Sequence, residues 1–200
     1  MELDLEDLLT QARAGSEKAR GQLFERYRNY LTLLARVQIG RRLQGKVDPL
    51  DVVQETFLTA HRDFARFRGK TEGELLGWLR QMLAADLADV ARRYTAQRRD
   101  VRLERRLSEE LEQSSRDLGQ ALIAVQSSPS QRAARREQAV LLADMLETLP
   151  PDYAEVLVLH HLESLTFPEV AARMGRTVDS VKKLWTRGLA RMRRNLSAVP

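Results

Sequence analysis

LTFPEVAARMGRTVDSVKKLWTRGLARMRRNL, residues 165–196, decides how this chain is read: two helical patterns meet at a glycine, and the second carries nearly all of the local positive charge. Thr166 precedes the first helix, Pro168 sits in its first turn where a missing N–H costs nothing, and Glu169 lies three residues after Thr166 as a capping-box partner. The spacing predicts a helix from about Phe167 with Val170, Ala171 and Met174 on its apolar side. Gly175 ends it, because a residue without a Cβ suits the left-handed conformation common at helix ends. Thr177 is the expected N-cap of a second helix, in which Val178, Val181, Leu184, Trp185, Leu189, Met192 and Leu196 keep one apolar stripe. The other face carries Lys182, Lys183, Thr186, Arg187, Arg191, Arg193 and Arg194. In such a helix-turn-helix, residues near the start of the second helix can reach base edges, and later arginines can meet phosphates.

The charge pattern supports that reading. Residues 141–170 hold six acids and neither lysine nor arginine, whereas residues 171–195 hold eight basic residues against the single acid Asp179. A field that changes sign within one small domain orients it on a polyanion. A solvated basic face on an ordinary core helix is the competing, less favoured explanation of the same residues.

The 200-residue length fits two small domains, each able to bury a core, and the net charge of +5 is compatible with nucleic acid without requiring it. Absence of cysteine excludes disulfides, thiolate metal sites and a cysteine nucleophile. With only His61, His160 and His161 beside that, neither a metal nor a cofactor is expected, and the adjacent histidines read as ordinary helix residues. No segment reaches the roughly 18 apolar residues of a membrane span, and the acidic start lacks a secretory signal, so a cytoplasmic protein without membrane insertion is expected. Frequent Leu, Ala, Arg and Glu with little period-two alternation predict an all-α fold.

Caps and periodicity divide the chain. Leu3 to Ala14 reads as an amphipathic helix, and Ser16 caps a longer one with Leu23, Phe24, Tyr27, Leu31, Leu34 and Ala35 inward, running to about Ile39 before a basic loop. Asp48 and Pro49 open a helix whose buried stripe is Val53, Phe57, Ala60 and Phe64; Arg68, Gly69 and Lys70 break it. Thr71 and Glu74 offer a second capping box before a long helix marked by Leu75, Leu79, Met82, Leu83, Leu87, Val90 and Tyr94. Residues 1–97 thus form a helical bundle. Residues 98–135 are charged, with QSSPSQ at 126–131 as a breaker, and read as a flexible linker with partial order at best. Residues 136–200 form the domain ending in the helix-turn-helix, its first helix stopped at Pro150 and Pro151 and its next starting at Asp152. There is no internal repeat.

Three motifs in this order resemble the extracytoplasmic-function class of bacterial sigma factors. DPLDVVQETFLTAHRDF at 48–64 is similar to their region 2 motif, GWLRQMLAADLADVARRY at 77–94 to their Trp-Leu helix, and LETLPPDYAEVLVLHHLESLTFPEVAARMGRTVDSVKKLWTRGLARMR to region 4 almost throughout. The resemblance implies two helical domains, core RNA polymerase and promoter DNA as partners, an anti-sigma protein as a further partner of many members, and no catalytic residues. It assigns polymerase binding to Asp51, Gln54 and Glu55, and binding of the −10 element to Arg68, Lys70, Trp78, Arg80, Arg92 and Arg93. Trp78 reads more readily as core than as a stacking platform. The family often has Asn where this chain has Ala85. For the −35 element the matching positions are Arg176, Thr177, Lys182, Lys183, Thr186, Arg187, Arg191 and Arg194, with Lys182 and Arg187 the base readers and Arg176, Arg191 and Arg194 on phosphates. A linker of this kind is expected to thread the RNA exit region of the polymerase.

Two other readings stand on the residues alone. The helix-turn-helix also resembles that of dimeric regulators, although residues 1–97 lack the alternating strands of a receiver domain. Asp86 and Asp89, three apart, could pair as catalytic carboxylates, but two acids on a solvated helix face explain them more simply.

Overall fold

The computed structural model describes residues 4–42, 47–95, 101–125 and 132–197, and among them every regular element is helical. The elements are α1 (Leu5–Arg13), α2 (Glu17–Glu25), α3 (Arg28–Arg42), α4 (Pro49–Asp63), a 3₁₀ turn (Phe64–Arg66), α5 (Glu72–Thr95), α6 (Val101–Val125), α7 (Arg132–Glu147), α8 (Pro151–Leu157), a π-helical turn (Val158–Leu162), α9 (Phe167–Met174) and α10 (Val178–Ser197). The basic-loop residues 43–46 and the breaker at 126–131 lie outside the described residues. No helix among the described residues is long and apolar enough to cross a membrane.

The chain divides into two compact units, Met1–Gln113 and Ser114–Pro200. In the first, α1 packs with α2, and α3, α4 and α5 pack on one another. Local chemistry sets the starts of these helices. Ser16 accepts the Ala19 N–H at 3.2 Å, and Asp48 accepts the Leu50 N–H at 2.8 Å with Pro49 at the first helical position. The core is the predicted stripe: Leu23, Phe24, Tyr27, Leu31, Leu34, Val53, Phe57, Ala60, Phe64, Leu75, Leu79 and Leu83 are all buried. Phe24 joins α2 to α4, its ring stacked on Phe57 at 5.6 Å and meeting His61 and Phe64 edge-on. Desolvation and, less, the charge of Arg20 hold the His61 imidazole below its usual range.

Two features differ from the sequence reading. The helix predicted from Ser16 to Ile39 is broken at Arg26 and Tyr27, where the Tyr27 N–H bonds back only three residues, to the Phe24 carbonyl. Neither proline nor glycine stands at 26 or 27, so nothing local announces the break. Tertiary contacts fix it: the buried Tyr27 sends its hydroxyl to Glu72 at the start of α5, 2.9 Å away. The second difference is α6, which occupies much of the segment read as a flexible linker. Leu103, Leu107 and Leu111 recur every fourth residue, and the last two are buried; Arg105 and Glu109 add an ion pair one turn apart at 3.5 Å. Three leucines on one line are enough to order a helix that its charge alone would leave in solvent.

In the second unit α10 packs against α8, α9 and α7. The Thr166 and Glu169 capping box is formed, Gly175 is left-handed at φ +62°, and the Thr177 hydroxyl accepts the Ser180 N–H at 3.2 Å. The α9 to α10 turn therefore has the geometry that its residues call for. Gly175→Ala is expected to cost about 1 kcal/mol of stability through backbone strain, since nothing lies within 4 Å of the added Cβ; urea unfolding measures it.

Candidate partner and nucleic-acid interfaces

Three surfaces carry the candidate residues. On α4, burial of Val52, Val53, Thr56, Phe57 and Ala60 turns Asp51, Gln54 and Glu55 outward. Leu50 and Leu58 flank them and are also outward, 44% and 57% exposed. Leu50 and Leu58 thus add exposed apolar area beside Asp51, Gln54 and Glu55 on one helical face. The sequence reading missed both leucines, although their place off the Val53 and Phe57 stripe was a usable signal.

Behind this face Thr56 is fully buried, its hydroxyl 2.9 Å from the Val52 carbonyl and 2.7 Å from Asp86 Oδ2. One hydroxyl proton serves two acceptors there, and a proton on Asp86 satisfies both contacts. Burial, and less strongly the nearby Glu55, push the Asp86 carboxyl above its usual range against the Thr56 hydrogen bond. Asp89 is exposed and paired with Arg92 on its own helix, so the two acids share no site.

The second surface starts at the loop before α5. Arg68 and Lys70 are exposed, over a buried Phe67. Gly69 is obligatory here because a Cβ would lie 2.5 Å from the Phe67 ring and 2.7 Å from Glu74 Cβ. Arg13 donates to the Gly69 carbonyl and lies over the Phe67 ring, a contact from α1 with no sequence signal. Glu74 accepts the backbone N–H groups of Lys70 and Thr71 at 2.8 and 2.9 Å, which lowers its carboxyl, and its own N–H meets the Thr71 hydroxyl.

Trp78 belongs more to the core than to a free stacking platform: it is half-buried, with its ring 5.0 Å from Phe67 and 6.2 Å from Phe64. Arg80 needs correction as a DNA-contact candidate. It is 5% exposed, donates to the Tyr30 hydroxyl at 2.9 Å and pairs with Glu112 on α6. Its guanidinium is covered and engaged by Tyr30 and Glu112 rather than presented to solvent. Arg92 is largely covered and paired, while Arg93 is exposed. Arg93 stands about 30 Å along α5 from the Arg68 loop, counting 1.5 Å per residue, so these cations are two clusters rather than one patch.

The third surface is α10. Lys182, Lys183, Thr186, Arg187, Arg191 and Arg194 are all exposed, opposite buried Val181 and Met192 and half-buried Leu184, Trp185 and Leu189. Val178, assigned to the apolar stripe, is instead 36% exposed in the first turn. Lys183 is paired with Asp179 at 2.7 Å, which lowers the Asp179 carboxyl, and Lys182 lies over the Phe167 ring. Thr186 donates to the Lys182 carbonyl at 2.9 Å, and Arg176 reaches Asp152 on α8 at 2.6 Å. Arg187, Arg191 and Arg194 present their charge on one face at spacings of four and three.

Residues 139–192 match the sigma-70, region 4 family. The chain is 30% identical over 176 residues to an ECF RNA polymerase sigma-E factor of Haemophilus influenzae, covering 88% of this chain and 86% of that protein. It is 27% identical over 195 residues to the ECF RNA polymerase sigma factor SigD of Mycobacterium tuberculosis, covering 97% and 84%. A solved structure of CnrH in complex with the cytosolic domain of CnrY aligns at 26% identity with a TM-score of 0.36, over 96% of this chain and 97% of that one.

Two outcomes are expected from the buried polar groups. Arg80→Ala removes the hydrogen bond to the Tyr30 hydroxyl and the ion pair with Glu112 and should lower unfolding stability by roughly 1–3 kcal/mol in urea titration. Because the Asp86 carboxyl is raised in the fold, the natural chain loses stability as pH rises through the ordinary aspartate range, about 3.9 and above. Asp86→Asn removes that penalty, so its melting temperature should exceed the natural chain's at pH 7 and the gap should close towards pH 4.

Proposed function

The chain belongs to the extracytoplasmic-function RNA polymerase sigma factors, and from that membership we propose how its three surfaces divide the work of starting transcription. It is a bacterial transcription initiation factor that binds core RNA polymerase and directs it to specific promoters, region 2 opening the −10 element and region 4 reading the −35 element. The observation that carries this is that the likeness to such a factor runs through nearly the whole chain, well beyond the helix-turn-helix that a dimeric regulator would share.

Residues 1–97 are the region 2 part, 98–135 the connection and 136–200 the region 4 part. Asp51, Gln54 and Glu55 bind the polymerase, with Leu50 and Leu58 supplying apolar area that acids alone lack; their common exposed face on α4 supports this. Arg68 and Lys70 hold the separated strand at the −10 element. Arg93 meets phosphate farther along, and Trp78 backs the loop through Phe67. On α10, Lys182 and Arg187 read bases in the major groove; Thr177, Thr186 and Lys183 border them, and Arg176, Arg191 and Arg194 take phosphates. The protein works by binding, without catalytic chemistry of its own, in the cytoplasm where the polymerase is. Many members of the family are held by an anti-sigma protein at the same two DNA-binding parts.

The test is transcription in vitro with sigma-free core polymerase, this protein and fragmented genomic DNA, mapping the 5′ ends of the transcripts. Starts that share two spaced upstream elements are expected. Changing Asp51, Gln54 and Glu55 together to Ala should reduce them about tenfold or more, with helical content unchanged by circular dichroism. DNA binding without protein-dependent starts would refute the assignment. Arg187→Ala should cost about 1–3 kcal/mol at particular base pairs of the −35 element. By contrast, Arg191→Ala should weaken all sequences alike and lower the salt slope by about 1.

A further inference from the structure

His160 and His161 read as ordinary helix residues in the sequence, yet both have specific partners. They lie on the π-helical turn Val158–Leu162, where the Glu163 N–H bonds the Val158 carbonyl five residues back at 3.0 Å. The wide turn is followed by Ser164 at φ +58° and by the Leu165 N–H bonding the Leu159 carbonyl, which brings the chain back to start α9. His160 Nδ1 sits 2.8 Å from the Leu165 carbonyl, which can only accept, so Nδ1 carries the proton. Its ring stacks on Phe167 at 4.3 Å, and Phe167 meets Trp185 edge-on at 5.7 Å.

His161 closes the cluster. The Trp185 indole N–H can only donate, and it donates to His161 Nε2 at 3.0 Å, so His161 is neutral with its proton on Nδ1. Trp185 stands on α10 between Lys182 and Arg187, one residue from Thr186, and Phe167 carries Lys182 over its ring. The rings therefore tie the π-helical turn, the start of α9 and the middle of α10 together at the place where the base-reading side chains leave the helix.

We propose that His161 is a positioning residue for promoter reading: by accepting the Trp185 indole hydrogen bond it holds the turn of α10 that presents Lys182, Thr186 and Arg187. This rests on the assignment of α10 to the −35 element. Protonation of His161 puts a donor against a donor and releases the indole. The charge that acts on it is that of His160 on its own turn, and Lys182 of α10 lies over the Phe167 ring on which His160 stacks. Lost hydration, and secondarily the charge of His160, keep the His161 imidazole below its usual range. Neutral His161 is thus the form at pH 7 and above; the stability it brings begins to decline as pH falls below the ordinary imidazole value of about 6.5, and the hydrogen bond itself is lost at the lower pH where the folded imidazole takes up its proton.

The test joins two readouts. In the free full-length chain, the Trp185 indole N–H resonance, assigned by its absence in Trp185→Phe, should move as pH is lowered from 8 into acid until the His161 imidazole has taken up its proton, a point read from the His161 ring resonances, and should not move in His161→Gln, whose side-chain oxygen accepts at any pH. In holoenzyme assembled with core polymerase, discrimination is the ratio of initiation on a promoter from the mapped starts to that on the same promoter with its −35 element altered. His161→Phe, which can stack but not accept, should lower that ratio roughly threefold to tenfold at pH 8, as loss of about one hydrogen bond predicts. His161→Gln should retain it, and the natural chain should lose it only in acid. An indole resonance that ignores pH, or full discrimination by His161→Phe, overturns the inference. Arg187→Ala separates the two levels: if it loses discrimination while His161→Phe does not, only the positioning role fails, and if Arg187→Ala keeps discrimination, the α10 assignment fails and takes the positioning role with it.

Discussion

The stacked rings of Phe24 and Phe57, extended by Phe64, Phe67 and Trp78, are the contact on which the first unit depends. A helix has one face to bury, and this seam fixes which face α4 commits. Once Val53, Phe57 and Ala60 are inward, Asp51, Gln54 and Glu55 have nowhere to go but outward, with Leu50 and Leu58 beside them. The same seam runs on into the loop, because Phe67 must stay under Gly69 for the ring to reach Trp78. Arg68 and Lys70 are then raised into solvent as a consequence of packing below them. The outward face of α4 and the Arg68 to Lys70 loop are thus two sides of one hydrophobic arrangement.

In the second unit the recognition helix is held by different means. Its start is set locally, by Gly175 and the Thr177 cap, and its inner face is anchored by Val181 and Met192. Its middle is held by rings rather than by aliphatic packing, through Trp185 with Phe167, His160 and His161. Aromatic groups with a polar edge can fix orientation as well as depth, which leucine at the same place cannot. The exposed basic face of α10 is thereby held in a fixed orientation.

Buried polar groups are where the sequence misled. Arg80 sits among Leu76, Leu79 and Leu83, a setting that an outward arginine can also have, and the arrival of Tyr30 from α3 and Glu112 from α6 makes it internal. Asp86 looked like one of two acids on a solvated face until Thr56 from α4 was placed against it. Arg13 reaches the Gly69 carbonyl across 56 positions of sequence. In each case the partner is distant along the chain, and helical periodicity carries no information about such pairs.

What the sequence determined by itself is what depends on neighbours within a turn or two: the all-α character, the caps at Ser16, Asp48, Thr71, Thr166 and Thr177, the stop at Gly175, and the apolar stripes of α4, α5 and α10. The exposed basic face of α10 followed from the same arithmetic, since a helix with its stripe buried must turn the rest to water. Only the tertiary structure decided the break at Arg26 and Tyr27, the ordering of α6, the withdrawal of Arg80 from the surface and the pairing of His161 with Trp185. Those outcomes turn on which buried partner arrives from elsewhere in the fold, because a desolvated polar group or a lone stripe of leucines is stable only when something comes to meet it.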